Sequence, residues 1–222
     1  MINLIKLLIN MIEKKVIVPA IIAKSQEELV EKINKVKEYV TRVQLDVMDG
    51  KFVPNNSLDF DFKLPKTNCH FEAHLMIQNP LKWIEKNYEK IDTILAHIES
   101  CENPKKIIDL AREKNKLIGF VLNPETPLEK ISEFIEEIDQ VLIMTVNPGF
   151  YGSPFLPEMV DKISDLRKIS PDLDIEVDGG VTPSTIGIVD KAGANLFVSG
   201  SYIVKSDNVK EVISNLKNIL VD

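Results

Sequence analysis

The chain is expected to fold as an α/β protein of the closed (β/α)8 barrel, or TIM barrel, class, and three observations lead there. Eight strand-like runs alternate with helix-like segments from Val16 onward. No linker or break in composition divides them. Polar residues and glycines gather after the second, third, sixth, seventh and eighth runs, and a barrel brings all those strand ends to one mouth. An open doubly wound sheet would want a Gly-rich turn after its first strand, and none follows here. At 222 residues the chain is long enough for one such domain.

The expected strands are Val16–Ala20, Arg42–Asp46, Phe71–Met76, Thr93–His97, Leu117–Leu122, Val141–Thr145, Leu173–Asp178 and Asn195–Ser199. Most are short and rich in Val, Ile, Leu and Phe, as for strands buried on both faces. The first expected helix, Gln26–Tyr39, carries Leu29, Val30, Ile33 and Val36 on one stripe. Pro80, Pro104 and Pro127 open the next three, at the first-turn position that proline tolerates. Pro157–Ile169, Thr182–Ala192 and Val209–Leu220 complete the set. Leu58–Pro65 has no clear pattern, because Asp and Lys interrupt it.

The barrel is expected to occupy residues 16–222, with residues 1–15 as an N-terminal extension. That extension (MINLIKLLINMIEKK) reads either as an extra helix on the body or as a dispensable segment ahead of Met11. It is too short and too interrupted to span a membrane, and it lacks a small-residue cleavage site.

Composition is 44% hydrophobic and 27% charged, with a net charge of −7 and a pI near 5.2. No basic patch stands out, so neither nucleic acid nor a membrane is expected as partner. Cys69 and Cys101 have no metal or redox spacing. They suit a reducing cytoplasm, packed as small apolar residues.

Asp46 and Asp178 are the leading catalytic candidates. Each closes an apolar run and is expected to point from a strand end into the mouth, and two such carboxylates can act as an acid/base pair on opposite faces of one carbon. His74 shares that mouth, and Asp/His/Asp is a partial divalent-metal set. His97 and Glu99, on one strand end, read as supporting or structural. The turns Gly179-Gly180 and Gly200-Ser201, after the last two strands, match the usual barrel phosphate site, although such glycines can also serve only as tight turns. The loop after the sixth strand, containing Gly149, Phe150, Tyr151 and Gly152, is long enough to close over a ligand. Met48, Met76 and Met144 end three strands and read as core filling or as an apolar lining that raises nearby carboxylate pKa values.

The runs QLDVMDGKFVPN (Gln44–Asn55), HLM (His74–Met76), LNPETP (Leu122–Pro127), MTVNPGF (Met144–Phe150), EVDGGV (Glu176–Val181) and FVSGS (Phe197–Ser201) resemble the ribulose-phosphate 3-epimerase family and its relative, the allulose-phosphate 3-epimerases. The resemblance runs in order from Val16 onward. It implies a barrel of the ribulose-phosphate-binding type that inverts C3 of a ketose phosphate, with Asp46 and Asp178 as acid and base. It also implies one divalent metal ion (Zn, Fe, Mn, Co or Mg) held by two aspartates and two histidines, a ketose phosphate as partner, and a homo-oligomer.

Three departures bear on the site. The family has His-x-Asp where this chain has Gln44-Leu45-Asp46, so an amide stands in place of one metal ligand. The family's Pro-Ser is here Pro19-Ala20. Its usual Gly-Phe-Gly-Gly-Gln is here Gly149-Phe150-Tyr151-Gly152-Ser153. The expected reaction is D-ribulose 5-phosphate to D-xylulose 5-phosphate. The alternatives are 3-epimerisation of a ketohexose 6-phosphate, or a sugar-phosphate-binding barrel with reduced or lost catalysis.

Overall fold

The computed structural model describes residues 14–150 and 152–220. Its sheet runs β1 (Val16–Ile21), β2 (Arg42–Asp49), β3 (Asn56–Ser57), β4 (His70–Met76), β5 (Thr93–His97), β6 (Leu117–Leu122), β7 (Gln140–Met144), β8 (Asp174–Asp178) and β9 (Leu196–Ser199). All neighbours pair in parallel except β3, and β1 pairs with both β9 and β2, which closes the barrel. β3 was not expected. It is a two-residue antiparallel flap on Met48 and Asp49, made when the chain turns back after Gly50 at φ 71°.

The helices follow from caps and periodicity. α1 (Gln26–Val36) starts where the Ser25 side chain accepts from the Glu28 N–H, and it buries Leu29, Ile33 and Val36. α2 (Pro80–Asn87) and α3 (Pro104–Glu113) each place proline at the first turn behind an Asn cap. α4 (Met159–Ile169), α5 (Ile186–Ala192), a short α6 (Ser201–Val204) and α7 (Val209–Ile219) complete the outer layer. The segment after Pro127 is a 3-10 helix over Leu128–Glu137 rather than an α-helix, although it still buries Ile131 and Ile135. α5 begins at Ile186, later than expected, because the Thr185 hydroxyl donates to the Gly180 carbonyl and holds the preceding residues as a turn. Leu58–Pro65 contains no helix.

The strands are buried on both faces, as expected, but they are not apolar on both. In β2, Val43, Leu45 and Val47 face the helices and join the main core, while Arg42, Gln44, Asp46 and Met48 alternate into the lumen. In β4, Phe71, Ala73 and Leu75 face outward, while Glu72 and His74 meet lumen partners. Asp46 therefore does not end its strand, which corrects the sequence expectation, and His74 likewise lies before the end of its own. β2 continues to Asp49 and β4 to Met76, so both side chains sit inside the lumen below the rim.

Of the segment 1–15, residues 1–13 lie outside the described part of the chain. Within the described part, Lys15 is tied to the body through its ammonium, which meets Asp190 at 3.0 Å and the Leu220 carbonyl at 3.2 Å.

Candidate active site

Four lumen side chains converge at the mouth end. Gln44 Nε2 donates to Asp46 Oδ1 at 2.9 Å and to Asp178 Oδ2 at 2.7 Å. His74 Nδ1 faces the same two carboxylates at 3.4 and 3.2 Å. Their positions follow from register: Gln44 lies beside Glu72 and Asp46 beside His74 in the β2–β4 pair. Asp178 ends β8 and is stitched to β7 by Thr145, whose N–H donates to the Asp178 carbonyl and whose hydroxyl donates to the Gly179 carbonyl.

Behind His74 lies His97, the last residue of β5. Their Nε2 atoms are 2.9 Å apart, and His97 Nδ1 is 3.3 Å from Glu99 Oε2. The other Glu99 oxygen accepts from the Asn123 N–H and from the Thr126 hydroxyl.

Electrostatics at this point are unbalanced. Burial raises the Asp46 carboxyl, and the charge of Asp178 adds to that, while His74 and Gln44 oppose it. Burial acts to lower the His74 pKa, but hydrogen bonds and charges from Asp178 and Asp46 outweigh it and raise the value to about 9. His97 is pushed down to about 4, first by burial and then by the charge of His74, against its bond to Glu99. Burial acts to raise Glu99, yet its bonds from His97, Thr126 and Asn123 bring it down to about 2. Two acids and one imidazole thus share a dry setting, where each charge interaction is strengthened.

The residues present fit a divalent cation. One ligand atom from each of Asp46, His74 and Asp178 lies within 4.8 Å of the others. Gln44 Oε1 is buried with no hydrogen-bond partner, and its amide sits among those three side chains. Turning the amide over would present that oxygen to the same space.

The pocket above gathers most of the residues singled out from sequence. Asp46, His74, Asp178, Met48, Met76, Met144, Gly149, Phe150, Gly152, Gly179, Gly180, Gly200 and Ser201 all line it, with Ala20 where the family carries a hydroxyl. Tyr151 lies outside the described residues. Gln44 is not part of the lining, because it is wholly buried beneath the carboxylates. Reading residues singly missed Ile22, Val146 and Pro148, which complete the wall with Ser153. No chemical signal marks them.

The glycines after β8 do more than turn. Gly179 has φ 112°, and a Cβ there would come within 2.3 Å of Val146. Gly180 has φ 66°, and its Cβ would meet Phe155 at 2.8 Å. Both the dihedral and the close approach demand glycine. Gly200 differs: its φ is −85°, and it caps α6, accepting from the Val204 N–H at 2.9 Å. The loop after β7 rests on the β2–β3 turn, where Asn55 Nδ2 donates to the Gly149 carbonyl at 2.8 Å.

Closed-barrel architecture, with two acids and an imidazole converging at the C-terminal mouth, defines a barrel enzyme with an acid–base site. Comparison with known proteins narrows the class. The chain belongs to the ribulose-phosphate 3-epimerase family, whose model matches residues 16–204. A Schizosaccharomyces pombe protein named ribulose-phosphate 3-epimerase is 35% identical over 91% of this chain and 92% of its own length. Proteins of the same name from Synechocystis and Bacillus subtilis are 39% and 38% identical, over 91% and 79% of this chain and 93% and 85% of their own lengths. Among solved structures, a 3-hexulose-6-phosphate synthase superposes with a TM-score of 0.65 at 17% identity, covering 93% of this chain and 100% of that one. A 3-keto-L-gulonate-6-phosphate decarboxylase from Vibrio cholerae gives 0.64 at 14% identity over 93% of this chain and 97% of that one. At those identities the structures support the fold alone.

Proposed function

We propose that the protein interconverts D-ribulose 5-phosphate and D-xylulose 5-phosphate by inverting C3, with Asp46 and Asp178 as the two acid/base groups. The observation that carries this is their placement. They come from β2 and β8, meet at one buried amide and one imidazole, and open onto one pocket. One carboxylate takes the C3 proton from one face while the other returns a proton to the opposite face. Burial, which raises Asp46, moves it toward the range where a carboxyl both gives and takes protons at neutral pH. Met48, Met76 and Met144 keep the reacting carbon in apolar surroundings, which strengthens each charge interaction there. Family membership supports the pentose phosphate over the hexose phosphate, and retention of both carboxylates in one pocket supports catalysis over mere binding.

Asp46, His74 and Asp178 would hold a divalent cation, with Gln44 Oε1 as the fourth donor. Bound there, a cation supplies positive charge to the oxyanion that develops as the C3 proton leaves. A neutral amide oxygen in place of an imidazole shifts the preference from zinc or iron toward harder ions such as Mn²⁺ or Mg²⁺. The turns at Gly179-Gly180 and Gly200-Ser201 are read as the phosphate end of the pocket, since both line it after the last two strands. No helix among the described residues is long and apolar enough to cross a membrane. A cytoplasmic location follows the relative from Oryza sativa that is named a cytoplasmic isoform, and a homo-oligomer follows the family resemblance.

In heavy water, protein supplied with Mg²⁺, Mn²⁺, Zn²⁺, Fe²⁺ or Co²⁺ should introduce deuterium at C3 of ribulose 5-phosphate while xylulose 5-phosphate accumulates. Absence of C3 exchange with every metal would rule the proposal out. Exchange only with a ketohexose 6-phosphate would replace the substrate.

A further inference from the structure

We propose that Glu99, acting through His97, sets which nitrogen of His74 is free to bind the metal. Glu99 and His97 are thus positioning residues for the site. The inference rests on the metal reading above and adds to it a cause for the orientation of His74.

One line of hydrogen bonds joins the metal-facing nitrogen to Glu99. His74 Nδ1 is the nitrogen that faces Asp46, Asp178 and the Gln44 amide, at 3.2 to 3.4 Å. It can ligate only with its lone pair bare, so neutral His74 must carry its proton on Nε2. That Nε2 lies 2.9 Å from His97 Nε2. The ring planes are 21° apart with centroids at 5.0 Å, so the rings meet edge to edge in an in-plane hydrogen bond. His74 therefore donates, His97 Nε2 accepts, and the His97 proton sits on Nδ1. Nδ1 then donates to Glu99 Oε2 at 3.3 Å, and a carboxylate can only accept.

The far end is held in place. Glu99 Oε1 accepts from the Asn123 N–H at 2.9 Å and from the Thr126 hydroxyl. The turn that bears those donors is pinned by Lys162, whose ammonium donates to the carbonyls of Asn123, Pro124 and Thr126. The LNPETP run thereby fixes Glu99. Both histidines are wholly buried, so no solvent competes for these bonds. Such outer partners fix the tautomer of a ligating histidine and raise its basicity.

Glu99→Gln makes the direction testable. The amide oxygen would stay with its two donors on Asn123 and Thr126, which turns the NH2 toward His97 Nδ1. His97 would then accept at Nδ1, donate from Nε2, and force the proton of neutral His74 onto Nδ1, the ligand nitrogen. The side chain keeps its size, so a purely structural role would leave metal affinity unchanged.

The test has two readouts, neither of which is turnover. The chain has only three histidines, so their ring ¹⁵N resonances can be assigned in metal-free protein held above pH 9, where His74 is neutral. Wild type should show His97 protonated at Nδ1 and bare at Nε2, and Glu99→Gln should reverse this. Calorimetric titration with Mn²⁺ or Co²⁺ should show the variant about 10- to 100-fold weaker. A wild-type His97 bare at Nδ1 overturns the proposal even if the variant does not fold. Equal affinity of variant and wild type overturns it while leaving the metal site standing. Wild type that binds neither ion overturns the metal reading and this proposal together.

Discussion

The lumen holds two buried polar clusters, both drawing on β2, β4 and β8, and they differ in how their charge is met. At the floor, Arg42 donates to Glu72 at 3.1 Å and to Gln140 at 3.1 Å, and Gln140 donates to Glu176 at 2.8 Å. Burial and the charge of Glu72 push the Glu176 carboxyl well above its ordinary value, which favours its protonated form. One guanidinium then faces one carboxylate, all four residues are sealed, and none lines the pocket. At the mouth, two acids face a histidine and an amide, with Asp178 open to the pocket and no Lys or Arg among the described residues of its lining. Buried charge alone does not mark a site. Buried charge left short of a permanent cation beside an opening does, because such a place gains by accepting one from outside.

The sharpest break of this comparison is to neutralise one acid at each end. Asp46→Asn or Asp178→Asn should cut epimerisation by about 10²–10⁴-fold or more, as loss of an acid/base group does. Glu72→Gln at the floor should leave turnover per folded molecule near wild type. Comparable losses of turnover at both ends would erase the distinction between floor and mouth.

Removing the floor's cation should act on stability instead. Arg42→Met strands Glu72 in the lumen and should cost about 3–5 kcal/mol, read from denaturant midpoints. A variant as stable as wild type would show that the floor is not closed by Arg42.

Supplying the mouth with a better donor should sharpen it. Gln44→His restores an imidazole among Asp46, His74 and Asp178, and should tighten zinc or cobalt binding by at least about tenfold, or ~1.4 kcal/mol. Unchanged affinity would mean that Gln44 supports the carboxylates but takes no part in metal binding.

The smallest effect is a slope against pH. The folded pKa of Glu176 is raised, so its contribution to stability is complete below the ordinary value of 4.5 and is lost as pH rises toward the folded value. Glu176→Gln should remove that alkaline decline, giving a flatter curve of melting temperature against pH than wild type. Parallel curves would show that Glu176 ionises at the floor as it does in water.

Much of the molecule was legible in the chain. Apolar runs ending in glycine or polar turns marked the eight barrel strands to within a residue or two at most ends, and proline with Asn caps marked the starts of α2 and α3. β3 escaped notice because two residues carry no period. The 3-10 geometry after Pro127 escaped because its apolar spacing serves either helix type.

The fold class and the pairing of Asp46 with Asp178 could be read in one dimension, because they follow from local periodicity and residue type, while the amide at Gln44 stood out through the family resemblance. Depth and direction could not. The folded barrel placed Asp46 inside the lumen rather than at a strand end, gathered Arg42, Glu72, Gln140 and Glu176 into a buried floor, and aligned Glu99, His97 and His74 in one hydrogen-bonded line. Register accounts for the difference. A strand alternates its side chains between two faces, but which faces meet across a closed barrel depends on how eight strands are staggered, and that is set by long-range pairing rather than by any one segment.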